Sequence, residues 1–155
     1  MAKESAGIVL YRIREPDTEF FLVHPGGPFW KNKDAGGWSI PKGELSSGEE
    51  LLAAAEREFF EETSHRLTGP FVPLGKIKTP GGKTIHAWAT EGECDPEKVV
   101  SNSFEMEWPP RSGKMATFPE IDRAGWFALA QAEVKLHQGQ AEFLHRLLAL
   151  LKSAN

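Results

Sequence analysis

The chain has 155 residues, 40% of them hydrophobic and 26% charged, with a net charge of −4 at neutral pH. That length suits a single domain (1–155) with a core of normal size, and the mild acidity excludes a general electrostatic pull toward nucleic acid or an anionic membrane. Cys94 is the single cysteine, so no internal disulfide is available, and the N-terminal apolar run is too short for a signal peptide or a membrane span. The expectation is a cytoplasmic, enzyme-sized domain.

Ser5–Ile13 is apolar and β-branched, Arg14–Glu19 turns, and Phe20–Pro25 is apolar again, which predicts two strands and a turn. Gly26–Gly37 is a glycine-rich loop leading into a short extended segment, Trp38–Pro41. Gly48–Ser64 is predicted helical, with Ser46 or Ser47 as N-cap and Glu49 and Glu50 in the first turn. Phe71–Thr79 and Thr84–Glu93 flank a glycine pair and predict a hairpin. Ser103–Trp108 is a further strand ended by Pro109 and Pro110, and residues 118–122, which include Glu120, read as a loop. Arg123–Leu129 is strand-like and runs into a helical stretch. The last segment, from Gly139, places Phe143, Leu144, Leu147, Leu148 and Leu151 at helical spacing, a stripe for core packing. Strands interspersed with helices imply a mixed α/β sheet with helices packed on it.

The helix around residue 58 is chemically unusual. Glu58, Glu61 and Glu62 stand at i, i+3 and i+4 and so share one face. Such like charges repel by a few tenths of a kcal/mol per pair (about 0.2–0.5), and the C-terminal end of a helix dipole disfavours them further. Two readings remain: a solvated acidic face, or a site for a hard cation that prefers carboxylate oxygen. Leu51, Leu52, Ala55 and Phe59 form an apolar face that would dock the helix, and the Pro41–Gly43 turn would let a backbone carbonyl stand beside the acids as a further oxygen ligand.

Gly43, Glu49, Arg57-Glu58-Phe59 and Glu61-Glu62 together resemble the Nudix box. In that family pattern a glycine is followed after five residues by glutamate, then after seven by arginine-glutamate, an apolar residue, any residue, and two glutamates, a spacing matched throughout from Gly43 to Glu62. Ser64 replaces the usual following glycine and His65 the usual apolar residue. The resemblance implies an α/β/α sandwich and a hydrolase of nucleoside or dinucleoside polyphosphates, working as a monomer or homodimer without nucleic acid or membrane. It implies Mg²⁺, with Mn²⁺ able to substitute, held by Glu58, Glu61, Glu62 and the carbonyl of Lys42. Arg57 belongs to the catalytic constellation as the partner of Glu49 that buttresses the loop and helix. The general base is Glu58 itself or a glutamate on a later segment. Glu120 is preferred among Glu105, Glu107 and Glu120 because its place resembles the loop glutamate of dinucleoside tetraphosphate hydrolases.

Lys42, Lys76, Lys83, Arg111 and Lys114 are candidate phosphate contacts. Arg111 and Lys114 are presented together by a proline-stiffened loop, and Lys42 lies in the motif. Phe29 and Trp30 are candidates for stacking on a base, whereas Trp88 suits core packing. No histidine pair has ligand spacing. A nucleotide sugar or diphosphoinositol hydrolase is the alternative within the enzyme class. A non-catalytic nucleotide sensor is the alternative outside it, disfavoured by the intact carboxylates and the lack of a DNA-binding segment.

Overall fold

The computed structural model describes residues 3–153. Its elements are β1 (Glu4–Arg14), β2 (Asp17–Pro25), β3 (Lys42–Glu44), α1 (Leu51–Thr63), β4 (Val72–Lys78), β5 (Thr84–Glu91), β6 (Ser103–Glu107), β7 (Met115–Pro119), β8 (Ile121–Ala128), α2 (Leu129–Lys135) and α3 (Ala141–Ser153). The main sheet runs β4-β5-β1-β2-β8, with β3 also paired to β1; β6 and β7 form a separate two-stranded sheet. The β1–β5 pair is parallel and the other pairs are antiparallel, so the sheet is mixed.

β1 is buried without interruption from Ser5 to Leu10 because helices cover both faces of the strand. On one face Ala54, Ala55 and Phe59 of α1 pack against Ile8, Leu10, Phe21 and Val23. On the other, Phe143, Leu144 and Leu147 of α3 and Ala132 of α2 pack against Val9, Phe20, Leu22 and Ile85. This is the expected α/β/α sandwich, and the C-terminal stripe is core, as its spacing implies. Among the described residues no helix is long and apolar enough to cross a membrane.

The site is created where two neighbouring strands part. β1 pairs with β2 only from Tyr11 to Arg14, while its start, Ser5 to Gly7, pairs with β3. The 38–44 segment therefore enters between β1 and β2, bridging Val23 through Ser39. Gly7 permits this insertion, since a Cβ there would stand 2.7 Å from both the Pro41 oxygen and the Lys42 Cβ.

Two local expectations need correction. The helix starts at Leu51, three residues later than its acidic, serine-led start suggests, and neither Ser46 nor Ser47 caps it; the N-cap is Glu50, without a side-chain bond. Gly48 is left-handed (φ 74°), which the helix cannot continue, and Glu49 donates its N–H to the Ser46 carbonyl in a preceding turn. At the other end Ser64 takes the left-handed conformation (φ 62°) that a glycine would take more readily, and its hydroxyl donates to the Val100 carbonyl. Finally, residues 118–122 are not a loop: β7 and β8 fill the stretch, and Glu120 is the one residue between them.

Candidate active site

Glu120 is carried to the acids of α1 by a backbone relay. The Glu61 carbonyl, one of the carbonyls that α1 leaves free at its end, accepts from Asn102 N–H (2.9 Å). The Asn102 carbonyl accepts from Glu120 N–H (2.8 Å), and the Glu120 carbonyl accepts from Gly26 N–H (2.8 Å). Gly26 leaves no room for a side chain, as a Cβ would lie 2.0 Å from the Pro119 oxygen. Helix end, hairpin and glycine-rich loop are thus stitched together at Glu120.

The electrostatics record the convergence. Burial pushes the Glu62 carboxyl well above the ordinary carboxylate range, Lys42 opposes the rise, and Glu58 and Glu120 add to it. Burial also raises Glu58, against the pull of Arg57, with Glu61 and Glu120 pushing upward. Glu120 is raised by burial and then by Glu61. Four glutamates therefore meet in one field: Glu58, Glu62 and Glu120 are each raised by the charge of at least one other member of the set.

Arg57 is the counter-charge. Its Nε and Nη2 donate to the two oxygens of Glu49 (2.7 and 2.8 Å), and Nη1 donates to Glu58 (2.9 Å) and Glu61 (2.8 Å). Nη2 also reaches the Glu44 carbonyl (3.1 Å), which clips the strand before the turn to the helix after it. The same guanidinium holds the Glu49 carboxyl down at about 2, helped by the Ser46 amide. The buttress expected of Glu49 and Arg57 is present, and it extends to Glu58 and Glu61.

Gly43 lies directly on the Glu58 carboxyl: a Cβ there would be 2.0 Å from its Cδ. Gly43→Ala is therefore expected to displace Glu58, to cost about 1–3 kcal/mol as overpacking, and to remove activity. Thermal melting alongside an activity assay checks this; a variant with native melting and turnover would show that Glu58 has room to yield.

The donor set suits a hard divalent cation. Glu58, Glu61 and Glu62 offer only oxygen, on one half-buried helix face where Glu61 pushes Glu58 up and Glu58 pushes Glu62 up. Lys42 donates its backbone N–H to Glu62 Oε1 (3.2 Å), which fixes the start of β3 against the helix. Among the described residues no three acidic, histidine or cysteine side chains form a ready-made cage, since Arg57 holds Glu58 and Glu61 to itself.

Beside these acids is a cleft of about 320 Å³ lined by Trp30, Trp38, Lys42, Lys83, His137 and Gln140, among others. Burial lowers the Lys42 amine, Glu62 opposes that, and Lys83 lowers it further, so two amines face the same space. Trp30 sits edge-on to His137 with ring centroids 6.4 Å apart. Lys83 arrives on the turn between β4 and β5. His137 and Gln140 come from the segment between α2 and α3, about a hundred residues after Trp38 and Ile40, which they hold. His24 braces the loop from below: its Nδ1 meets Asp122 (2.7 Å) and its Nε2 meets the Lys33 carbonyl (2.6 Å).

Other candidates lie elsewhere. Glu105 and Glu107 occupy the exposed face of β6, opposite Phe104 and Met106. The Glu107 carboxylate accepts from the N–H groups of Arg111 (2.9 Å) and Gly113 (3.2 Å) and so organises the hairpin tip. That tip, with Arg111 and Lys114, is four residue pairs from the Ser103–Pro119 end beside Glu120, about 13 Å along the strands. The structure does not bring Glu107, Arg111 or Lys114 to the acids of α1. It brings Lys83 to Lys42 instead.

A sequence model described as the NUDIX domain matches residues 2–147. The 8-oxo-(d)GTP phosphatase of Mycolicibacterium smegmatis is 36% identical over 85 residues, which are 50% of this chain and 25% of that protein, so the chain matches a quarter of that relative's length. The Ap4A hydrolase of C. elegans in a binary complex superposes with a TM-score of 0.67 at 20% identity, covering 98% of this chain and 99% of that one. The NUDIX domain of Shewanella oneidensis NrtR, complexed with ADP ribose, gives 0.66 at 14% identity over 97% and 89% of the two chains.

Proposed function

Because the chain belongs to the NUDIX family, we propose that it is a divalent-metal-dependent hydrolase of phosphoanhydride bonds in nucleoside or dinucleoside polyphosphates. The observation that carries this reading is the meeting of Glu58, Glu61, Glu62 and Glu120 next to the cleft of Lys42 and Lys83. Acids suited to a hard cation stand beside amines suited to phosphate. The names of the similar proteins, an 8-oxo-(d)GTP phosphatase and an Ap4A hydrolase, support nucleotide substrates.

In this reading Glu58, Glu61 and Glu62, with the Lys42 carbonyl, hold Mg²⁺ or Mn²⁺. Such an ion, when bound, neutralises phosphate charge and lowers the pKa of water. The amines of Lys42 and Lys83 carry phosphate charge away from the metal. Trp30 offers its face to a base. Glu120 takes the proton from the attacking water. Arg57 is a positioning residue: it sets the rotamers of Glu58 and Glu61 through Nη1 and ties them to Glu49.

The test is phosphate release from a panel of nucleotides and dinucleoside polyphosphates with Mg²⁺ or Mn²⁺, run with and without EDTA. Activity is expected to disappear in excess EDTA. The melting temperature is expected to rise with either ion, because a ligand bound only by the folded state stabilises it. Full turnover in EDTA would overturn the metal dependence, and an unchanged melting temperature at saturating Mg²⁺ would remove the carboxylate face as its site.

A further inference from the structure

A second groove, of about 450 Å³, lies on the other side of Trp30, lined by Gly27, Pro28, Phe29, Trp30, Phe104, Met106 and Glu120 with Pro25 and Gly26. One wall is the glycine-rich loop and the other is the inner face of the β6–β7 hairpin, where Phe104, Met106 and Trp108 alternate with exposed residues. Two contacts set the width. Gly27 (φ 99°) passes so close to Phe104 that a Cβ would stand 2.9 Å from its ring. Phe29, 70% exposed, meets Trp108 edge-to-face with centroids 5.6 Å apart. A phenylalanine that exposed in a tethered loop offers a contact surface more than it fills a core.

The charge pattern says what belongs there. Lys42 and Lys83 line the first cleft, whereas Glu120 is the one charged residue among those lining this groove. Phosphates would be repelled from it; a flat uncharged ring would bury apolar surface against Phe104, Met106 and the loop aromatics. The groove is also continuous with the reaction centre, since Glu120 belongs both to it and to the field of Glu58 and Glu62, while Pro25 and Trp30 line both spaces. Two pockets thus adjoin at Pro25 and Trp30, one lined by Lys42 and Lys83 and the other by Glu120. A substrate with a single organic end would fill one of them.

We propose that the groove between the Gly26–Trp30 loop and the β6–β7 hairpin is a second nucleobase subsite, so that the enzyme favours two-ended substrates, dinucleoside polyphosphates, over nucleoside polyphosphates. This rests on the polyphosphate hydrolase reading above and narrows its substrate class. Met106 on the hairpin wall of the groove is the residue to change, because its side chain belongs to the hairpin face and not to the acids of α1.

The experiment compares KM and kcat for diadenosine tetraphosphate and adenosine 5′-tetraphosphate in the unmodified protein, Met106→Trp and Met106→Ala, with Mg²⁺ present. The unmodified protein is expected to show the lower KM for the two-ended substrate. Met106→Trp, which fills the groove, is expected to raise that KM about tenfold, the scale of one lost stacked base, while KM for the one-ended substrate moves less than about twofold. Met106→Ala, which widens the groove, is expected to have the smaller effect. Retained turnover of the one-ended substrate certifies the fold of each variant. Equal KM shifts for both substrates, or none for either, would overturn the subsite and leave the hydrolase reading standing. Failure of the unmodified protein to hydrolyse either substrate would overturn the hydrolase reading, and the subsite with it.

Discussion

Glu62→Gln is expected to lower kcat by about 10³ while raising the melting temperature of the metal-free protein. The kinetic loss follows from the proposed ligand role, since a bound divalent ion contributes several kcal/mol of transition-state stabilisation and each 1.36 kcal/mol is about tenfold in rate. The stability gain follows from the surroundings of Glu62. Burial drives its carboxyl well above the ordinary range of about 4.5, with Lys42 opposing and Glu58 and Glu120 reinforcing. A group raised on folding contributes stability in full below its unfolded pKa and loses that contribution as pH rises toward the folded value. At neutral pH the raised carboxyl is thus a liability, which a neutral isostere removes. The expected rise is about 2–4 °C per kcal/mol relieved at this chain length, shrinking toward zero as the pH falls to about 4. The same substitution is expected to abolish most of the melting-temperature increase on adding Mg²⁺. Melting curves from pH 4 to 8, with and without Mg²⁺, separate the two effects. A variant that melts like the parent at every pH would show that Glu62 is not strained by its neighbours, and native turnover would take it out of the ligand set.

The parts of the fold legible in the sequence are those written in local periodicity. β1 and β2 show as apolar β-branched runs, α3 shows as a stripe at helical spacing, and the acids of α1 are fixed to one face by a spacing of three and four. The start of α1 was obscured because the serines that resemble a cap lie in a separate turn. There the Ser46 amide donates to Glu49 instead, and Gly48 turns left-handed. β7 was hidden for a different reason: five residues ending in proline carry little strand signal alone and become a strand by pairing with β6. Lys83 stood among five candidate basic residues with nothing local to set it apart, and His137 and Gln140 carried no signal at all, because their place at the cleft depends on contacts across the whole chain. Conversely Arg111 and Lys114 look functional by adjacency, yet adjacency in a hairpin tip carries them away from the acids. The relay from Glu61 through Asn102 to Glu120 uses only backbone groups, which no side-chain pattern can announce.

Glu120→Gln is expected to cut kcat by about 10² to 10⁴, the scale of a lost general base, with little change in KM. The backbone at Glu120 is held at both its N–H and its carbonyl, and Gly26 packs against the preceding Pro119, so the substitution should alter chemistry without moving the chain. Glu58, Glu61 and Glu62 remain to gather metal and phosphate, which is why KM is spared. The pH profile supplies the sharper test. Burial and the charge of Glu61 raise the Glu120 carboxyl, so the base becomes competent only as pH rises through that raised value, giving the parent an acidic limb in kcat. Glutamine has no proton to lose, and the limb should flatten. Glu107→Gln provides the contrast: its carboxylate serves the Arg111 and Gly113 amides at the hairpin tip, and turnover should stay within about twofold of the parent, as for a substitution away from the chemistry. Partial rescue of Glu120→Gln by raised Mn²⁺ would recast Glu120 as a metal ligand. A silent Glu120→Gln beside an inactive Glu58→Gln would place the base on α1. Either outcome would redraw the chemistry at one residue and leave the family membership untouched, because that rests on the match over residues 2–147.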